Sequence, residues 1–220
     1  MKVISVPLAK TTWAFDLAAI NPEGRNLADV IRAIGQRYGF AKFPQHVLDV
    51  NKENALEFNS GAFTRDAISY RVGMTIYNNG IAADSLSSTA ISEEFLNDLA
   101  DWLVANHKLL KPEVKRVAYL NQLVVQARAP LPLWNTKLAW LEEKLTENAT
   151  DIYGKPRQYR FSALGAWAEG ANFNEGPAAF RLERKIPSDI SENIYFSQAP
   201  MQTQIHTEIL EQVETSLIPR

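Results

Sequence analysis

Apolar residues recur at helical spacing in four stretches of the chain. Leu27, Val30, Ile31 and Ile34 follow Asn26, whose side chain suits the cap of a first helical turn. That stretch ends at Tyr38-Gly39, where glycine suits a helix end. A second stretch places Phe95, Leu99, Trp102 and Leu103 on one face, with Glu93, Asp98 and Asp101 largely off it and Ser92 as the candidate cap. A third runs over 134–148, with Trp134, Leu138, Leu141 and Leu145 as its stripe. A fourth begins near Thr203 and lines up Ile205, Ile209, Val213 and Leu217.

Between these stretches the pattern changes to that of strands. Residues 68–77 and 81–84 are apolar runs separated by Asn78-Asn79-Gly80, and Asn-Gly between two such runs predicts a hairpin with a type I′ turn. Residues 114–126 are rich in Val, Leu and Tyr and read as a strand, as do 3–6 and 11–17, with further short strands expected between 46 and 63. A second hairpin is expected from 159–167 and 178–186, joined by a long, turn-rich connector over 169–177.

In chain order these elements suggest two similar units of strand, helix, hairpin, helix, with the boundary near residue 110. A Tyr-Gly pair, Tyr38-Gly39 and Tyr153-Gly154, follows the first helix of each, and a proline, Pro44 or Pro156, comes soon after. Residue identity between the halves is otherwise negligible. The expected fold class is therefore α+β: antiparallel sheet with about four helices packed on one face, arranged as two pseudo-repeated β-α-β-β-α units within a single domain. No Ser/Gly-rich or low-complexity stretch marks a linker.

Composition narrows the function classes. The chain has 220 residues, 46% of them apolar, enough to bury a core without staples, and no cysteine. Disulfides, thiolate nucleophiles and cysteine-ligated metal centres are thereby removed, and a cytoplasmic, reducing setting is the expected one. The apolar start of the chain is too short for a signal peptide core, and no run approaches the length of a membrane helix, so no membrane insertion is expected. The net charge is −2, but it is uneven: −2 over 1–110, +4 over 111–187 and −4 over 188–220. Such asymmetry suits complementary faces for self-association or a protein partner, and it argues against nucleic acid as the partner of the whole molecule.

Motifs for nucleotide cradles, nucleophile elbows, kinases and zinc peptidases are absent. The three histidines have no metal-ligand spacing: His46 precedes Asp49, His107 suits the end of the second helix, and His206 shares no face with Glu208. No cofactor, metal site or catalytic residue is assigned. Alternation over 180–186 puts Arg184 on the same face as Phe180, Leu182 and Ile186, and an arginine among apolar neighbours needs a carboxylate or a bound anion. Arg184, with Arg157 and Arg160, is thus the candidate anion-binding set. Arg181 and Lys185 face the other way. The last helix carries Glu208, Glu211 and Glu214 at three-residue steps, a candidate acidic docking face. Trp134 and Trp140 cannot both sit centrally in one buried stripe, so one of them is a candidate interface residue.

The expectation that follows is a non-catalytic interaction or assembly protein, a homo-oligomer or one subunit of a bacterial multi-gene defence or stress system. The interface candidates are Trp134, Trp140, Arg181, Lys185, Glu208, Glu211 and Glu214. The alternatives are a binder or enzyme for a small phosphate- or carboxylate-bearing ligand through the 155–186 hairpin and, more weakly, a nucleic-acid binder using the same hairpin.

Overall fold

A computed structural model describes residues 1–45, 55–131, 139–148, 161–168, 179–185 and 192–218. Within them lie eight strands: β1 (Lys2–Ala14), β2 (Leu56–Arg65), β3 (Ile68–Tyr77), β4 (Gly80–Ser85), β5 (Arg116–Gln126), β6 (Ala163–Ala166), β7 (Phe180–Arg184) and β8 (Ile194–Ala199). They form one antiparallel sheet in the order β2-β3-β4-β1-β5-β8-β7-β6. Four helices accompany it: α1 (Leu27–Arg37), α2 (Thr89–His107), α3 (Ala139–Asn148) and α4 (Thr203–Leu217). This is an α+β fold. No helix among the described residues is long and apolar enough to cross a membrane.

Strand, helix, three strands, helix is the order from β1 to α2, and the same order recurs from β5 to α4. Three strands, not the expected two, stand between the helices of each half. The strand not expected is β8, which reads Ile-Tyr-Phe-Ser-Gln-Ala with little apolar alternation; β2 falls largely within the short strands expected between 46 and 63. The sheet is continuous because β1 pairs with β5 along most of its length, with register shifts near Ser5. The two N-terminal strands expected from the sequence are in fact one strand bent by those irregularities. Leu17–Ile20 is a 3-10 turn capped by Asp16.

Asn26 caps α1 as its sequence implies, accepting from the Ala28 amide at 3.0 Å. Gly39 beyond the helix end takes a φ of +59°. On α2 the cap is Ser88, not Ser92, which lies one turn inside the helix and fully buried. The hairpin at 78–80 forms, but only Gly80 has a positive φ, +155°, so the turn is not type I′. A side chain there is forbidden for another reason: a Cβ would sit 2.1 Å from the Trp13 carbonyl oxygen on β1. Residues 134–138 of the third expected helix, and the 169–177 connector, lie outside the described residues.

Two cores hold the layers together. The larger joins α1 (Val30, Ile31, Ile34) and α2 (Phe95, Leu96, Leu99) to β1–β4. It is aromatic: Phe95 meets the rings of Tyr38 and Phe63 edge-on at 4.9 and 5.9 Å. The smaller gathers Leu123, Val125, Leu182 and Tyr195 under Leu210 of α4. Because α1, α2 and α4 all press on the same side, the opposite face of the sheet is left without a helix from this group. On α4 the buried positions are His206, Leu210 and Glu214. The expected stripe was wrong by about one position, and Ile205 is 45% exposed.

Candidate functional site

Arg184 is partly buried, as the alternation implies, and its guanidinium meets an aromatic neighbour. It lies 5.2 Å from the Tyr195 ring centroid and donates to the Tyr195 hydroxyl at 3.3 Å. That hydroxyl also accepts from the Leu131 amide at 2.8 Å. A phenol oxygen and a π face thus satisfy part of the charge. Arg181 and Lys185 are exposed, and Arg181 lies 5.7 Å from the Trp167 ring. Trp140 is 57% exposed. Trp134, Arg157 and Arg160 lie outside the described residues, as do His46 and Asp49.

On α4, Glu208 and Glu211 are exposed and line a surface depression with Gln212, Thr215 and Ser216. Glu214 does not join them. Steps of three residues lag the helical turn by about 60° each, so the third acid is about 120° round from the first. At 3% exposure it faces inward. It takes the Met1 ammonium at 2.6 Å and the Arg128 amide at 2.7 Å. Burial pushes its carboxyl up, but these bonds and the adjacent positive charges outweigh burial and hold it below its ordinary value.

Beneath the helices runs a polar seam that the sequence did not reveal. Thr89 and Thr203, the first residues of α2 and α4, each accept the other's backbone amide on Oγ1 at 3.0 Å. Asn121 donates from Nδ2 to Thr203 Oγ1 at 3.0 Å, which turns its Oδ1 toward His206 Nδ1 at 2.8 Å. Nδ1 therefore carries the ring proton. Nε2 is 2.8 Å from Ser197 Oγ, which lies 2.8 Å from the Arg181 carbonyl. Burial lowers the His206 pKa from 6.5 to about 4, so the ring is neutral near pH 7. A serine and a histidine in line with a third polar side chain is an arrangement used in nucleophilic catalysis. Here all three are 0% exposed, so no substrate carbonyl reaches Oγ and the seam serves packing.

The sheet face opposite α1, α2 and α4 carries a different cluster. Asp84 on β4 stands opposite both Lys10 on β1 and Gly73 on β3. Its carboxylate fills the space over the bare glycine, where a Cβ would stand 2.8 Å from both oxygens. Burial raises the Asp84 pKa, and the charges of Lys10 and Arg71 offset this only in part. Among the described residues neither cation comes within ion-pair distance of it, 4.0 Å, and no donor bonds it. Arg71 donates instead to Ser60 Oγ at 2.8 Å. Asn59, Ser60, Arg71, Val72, Gly73, Asp84 and Leu86 line the resulting depression, about 250 Å³. A separate cavity of about 60 Å³ under α2 is lined only by apolar residues, among them Trp13, Ile34 and Leu99.

The sheet's two edges also differ. At β2, residues 38–42 cover the edge: Ala62 donates to the Tyr38 carbonyl at 2.8 Å, Ala41 to Ser60 at 3.4 Å, and Lys42 bridges Asn59. At β6 every residue is exposed, and Leu164 and Trp167 beside it are 41% and 67% exposed. Among the described residues only β7 pairs with β6. The sequence signal for this edge was present, since Ala-Leu-Gly-Ala carries no charge and no proline, but strand order was not legible.

Comparison with protein-family models gives no match, and comparison with curated proteins gives none either. Among the described residues no cluster of three His, Asp or Glu side chains is placed to hold a metal ion.

Proposed function

We propose that this is a non-catalytic assembly protein that joins a second copy of itself through the free edge of β6. The uncharged β6 strand, whose outer edge pairs with no strand among the described residues, carries this reading. Natural sheet edges are protected by charge, proline, bulges or a covering segment. Edge β2 has such a cover, whereas β6 has none of these devices among the described residues.

The ladder defines which groups are available. Arg184 donates its amide to the Ser162 carbonyl at 2.8 Å, so residue pairs 162/184, 164/182 and 166/180 are the hydrogen-bonded ones. The N–H and C=O groups of Ala163 and Gly165 consequently point outward. An antiparallel approach of two copies about a two-fold axis at Leu164 sets Ala163 opposite Gly165 of the second copy, and each such pair exchanges both backbone bonds. One patch serves both partners. The exposed Leu164 within the strand and Trp167 just beyond it add apolar area. Opposite charges on the same chain, Arg181 and Lys185 on β7 and beyond it against Glu208 and Glu211 on α4, give a second copy a complementary surface.

Light scattering on the eluting protein tests this. The expected mass is twice 24.7 kDa at high concentration, falling toward the monomer on dilution. Ala163→Pro and Gly165→Pro remove outward donors without touching the β6–β7 ladder, so each should give monomer with an unchanged melting temperature. A wild-type protein that stays monomeric at every concentration, or proline variants that dimerise undiminished, would overturn the reading.

A further inference from the structure

We propose that the depression over Gly73, on the sheet face opposite α1, α2 and α4, is a binding site for a small zwitterion of the α-amino-acid kind, its ammonium on Asp84 and its carboxylate on Arg71. This rests on the cluster geometry alone and is independent of self-association, since β6 lies at the far edge of the sheet.

The argument is one of elimination. A half-buried carboxylate without a donor is costly unless a ligand or water supplies one. Asp84 is such a group, and two cations beside it are held too far away to pair. A simple anion drawn to Lys10 and Arg71 meets the Asp84 charge, and a simple cation drawn to Asp84 meets both positive charges. A molecule bearing both signs, separated by one carbon, meets each with its opposite. The backbone is cut to fit: Gly73 leaves room for the carboxylate, and any other residue would force it to move. In the second half the matching positions are occupied differently. The pair corresponding to Lys10 and Asp84 is Gln122 and Gln198, which bond to each other at 3.0 Å. The volume, about 250 Å³, lies just under the roughly 300–1,000 Å³ common for small-molecule sites, so the ligand is metabolite-sized. Leu86, 53% exposed at the rim, offers an apolar surface to a side chain.

Thermal shift and calorimetry against glycine, L-glutamine, L-leucine and the other common amino acids test the site, with acetate, phosphate and methylammonium as single-charge probes. At least one amino acid should raise the melting temperature saturably, while the single-charge probes do not. Asp84→Asn, which keeps the shape, and Arg71→Gln should each raise the dissociation constant at least tenfold. Gly73→Ala should abolish binding; should it also unfold the protein, the two conservative variants carry the test. The proposal fails if no amino acid gives a saturable shift, if acetate or phosphate binds as well as the zwitterion, or if Asp84→Asn binds unchanged.

Discussion

The two halves of the chain lay out the same elements, yet they fill the space between sheet and helix by different means. A constant step along the chain joins Ser85 to Ala199, Thr89 to Thr203, Ser92 to His206 and Leu96 to Leu210. Leu96 and Leu210 are both buried at the centres of their helices. One turn earlier, Ser92 meets Thr11 at 2.8 Å and donates to the Thr89 carbonyl of its own helix at 3.0 Å, and Phe95 beside it anchors a ring cluster. His206 at the matching position needs both Asn121 and Ser197. Farther on, the buried Ala100 of α2 answers to Glu214 of α4, which needs the chain's own ammonium. The first half relies mainly on a large apolar core, whereas the second adds buried directional bonds to a smaller one. Apolar cores tolerate approximate shape, whereas a buried polar group must have its partner.

Four measurements would break or sharpen this contrast. Phe95→Ala should cost the most, about 3–5 kcal/mol in chemical denaturation, because it empties the meeting point of the aromatic cluster. A value under about 1 kcal/mol would show that the first half does not depend on that ring. Next comes pH. His206 binds a proton near 6.5 when unfolded and only near 4 when folded, so the unfolded state takes up protons first as pH falls. Stability should be level above pH 6.5 and drop by about 3 kcal/mol on the way to pH 4. His206→Gln should remove that component of the slope, and an unchanged profile would rule out the ring as its source.

Asn121→Leu is expected to cost about 1–3 kcal/mol by leaving the His206 Nδ1 proton without an acceptor and removing one donor from Thr203 Oγ1. The double variant with His206→Leu should recover part of this, whereas strictly additive losses would mean the two residues are not coupled. The smallest effect is expected of Thr89→Val, about 1 kcal/mol, from loss of the oxygen that takes the Thr203 amide at the start of α4. No change there would show that solvent replaces the bond.

Much of the secondary structure was legible. Asn26, the spacing of Leu27 to Ile34, and the apolar face of α2 each act locally, through backbone groups within a turn. Arg184 was also correctly placed on the face of Leu182, because alternation in a strand follows from covalent geometry. Misreadings came where a local pattern had competing partners. Glu208, Glu211 and Glu214 look alike in sequence, but α4 is rotated so that only the last meets Met1 and Arg128. Ile205 looks like core and His206 like surface, and the reverse holds because Asn121 and Ser197, from distant strands, satisfy the ring. The pairing that sets Asp84 over Gly73 and beside Lys10 joins three strands, so no local signal marked that cluster.

By itself the sequence determined most of the segments that become helix or strand, the α+β class, and the exclusion of thiol chemistry, since each depends on neighbours within a few residues or on composition alone. Strand order, the coverage of the β2 edge, the neighbours of Asp84 and the partners of Asn121, His206 and Glu214 were decided only by tertiary structure. A buried or half-buried polar group takes its meaning from what stands opposite it, and that neighbour comes from far along the chain.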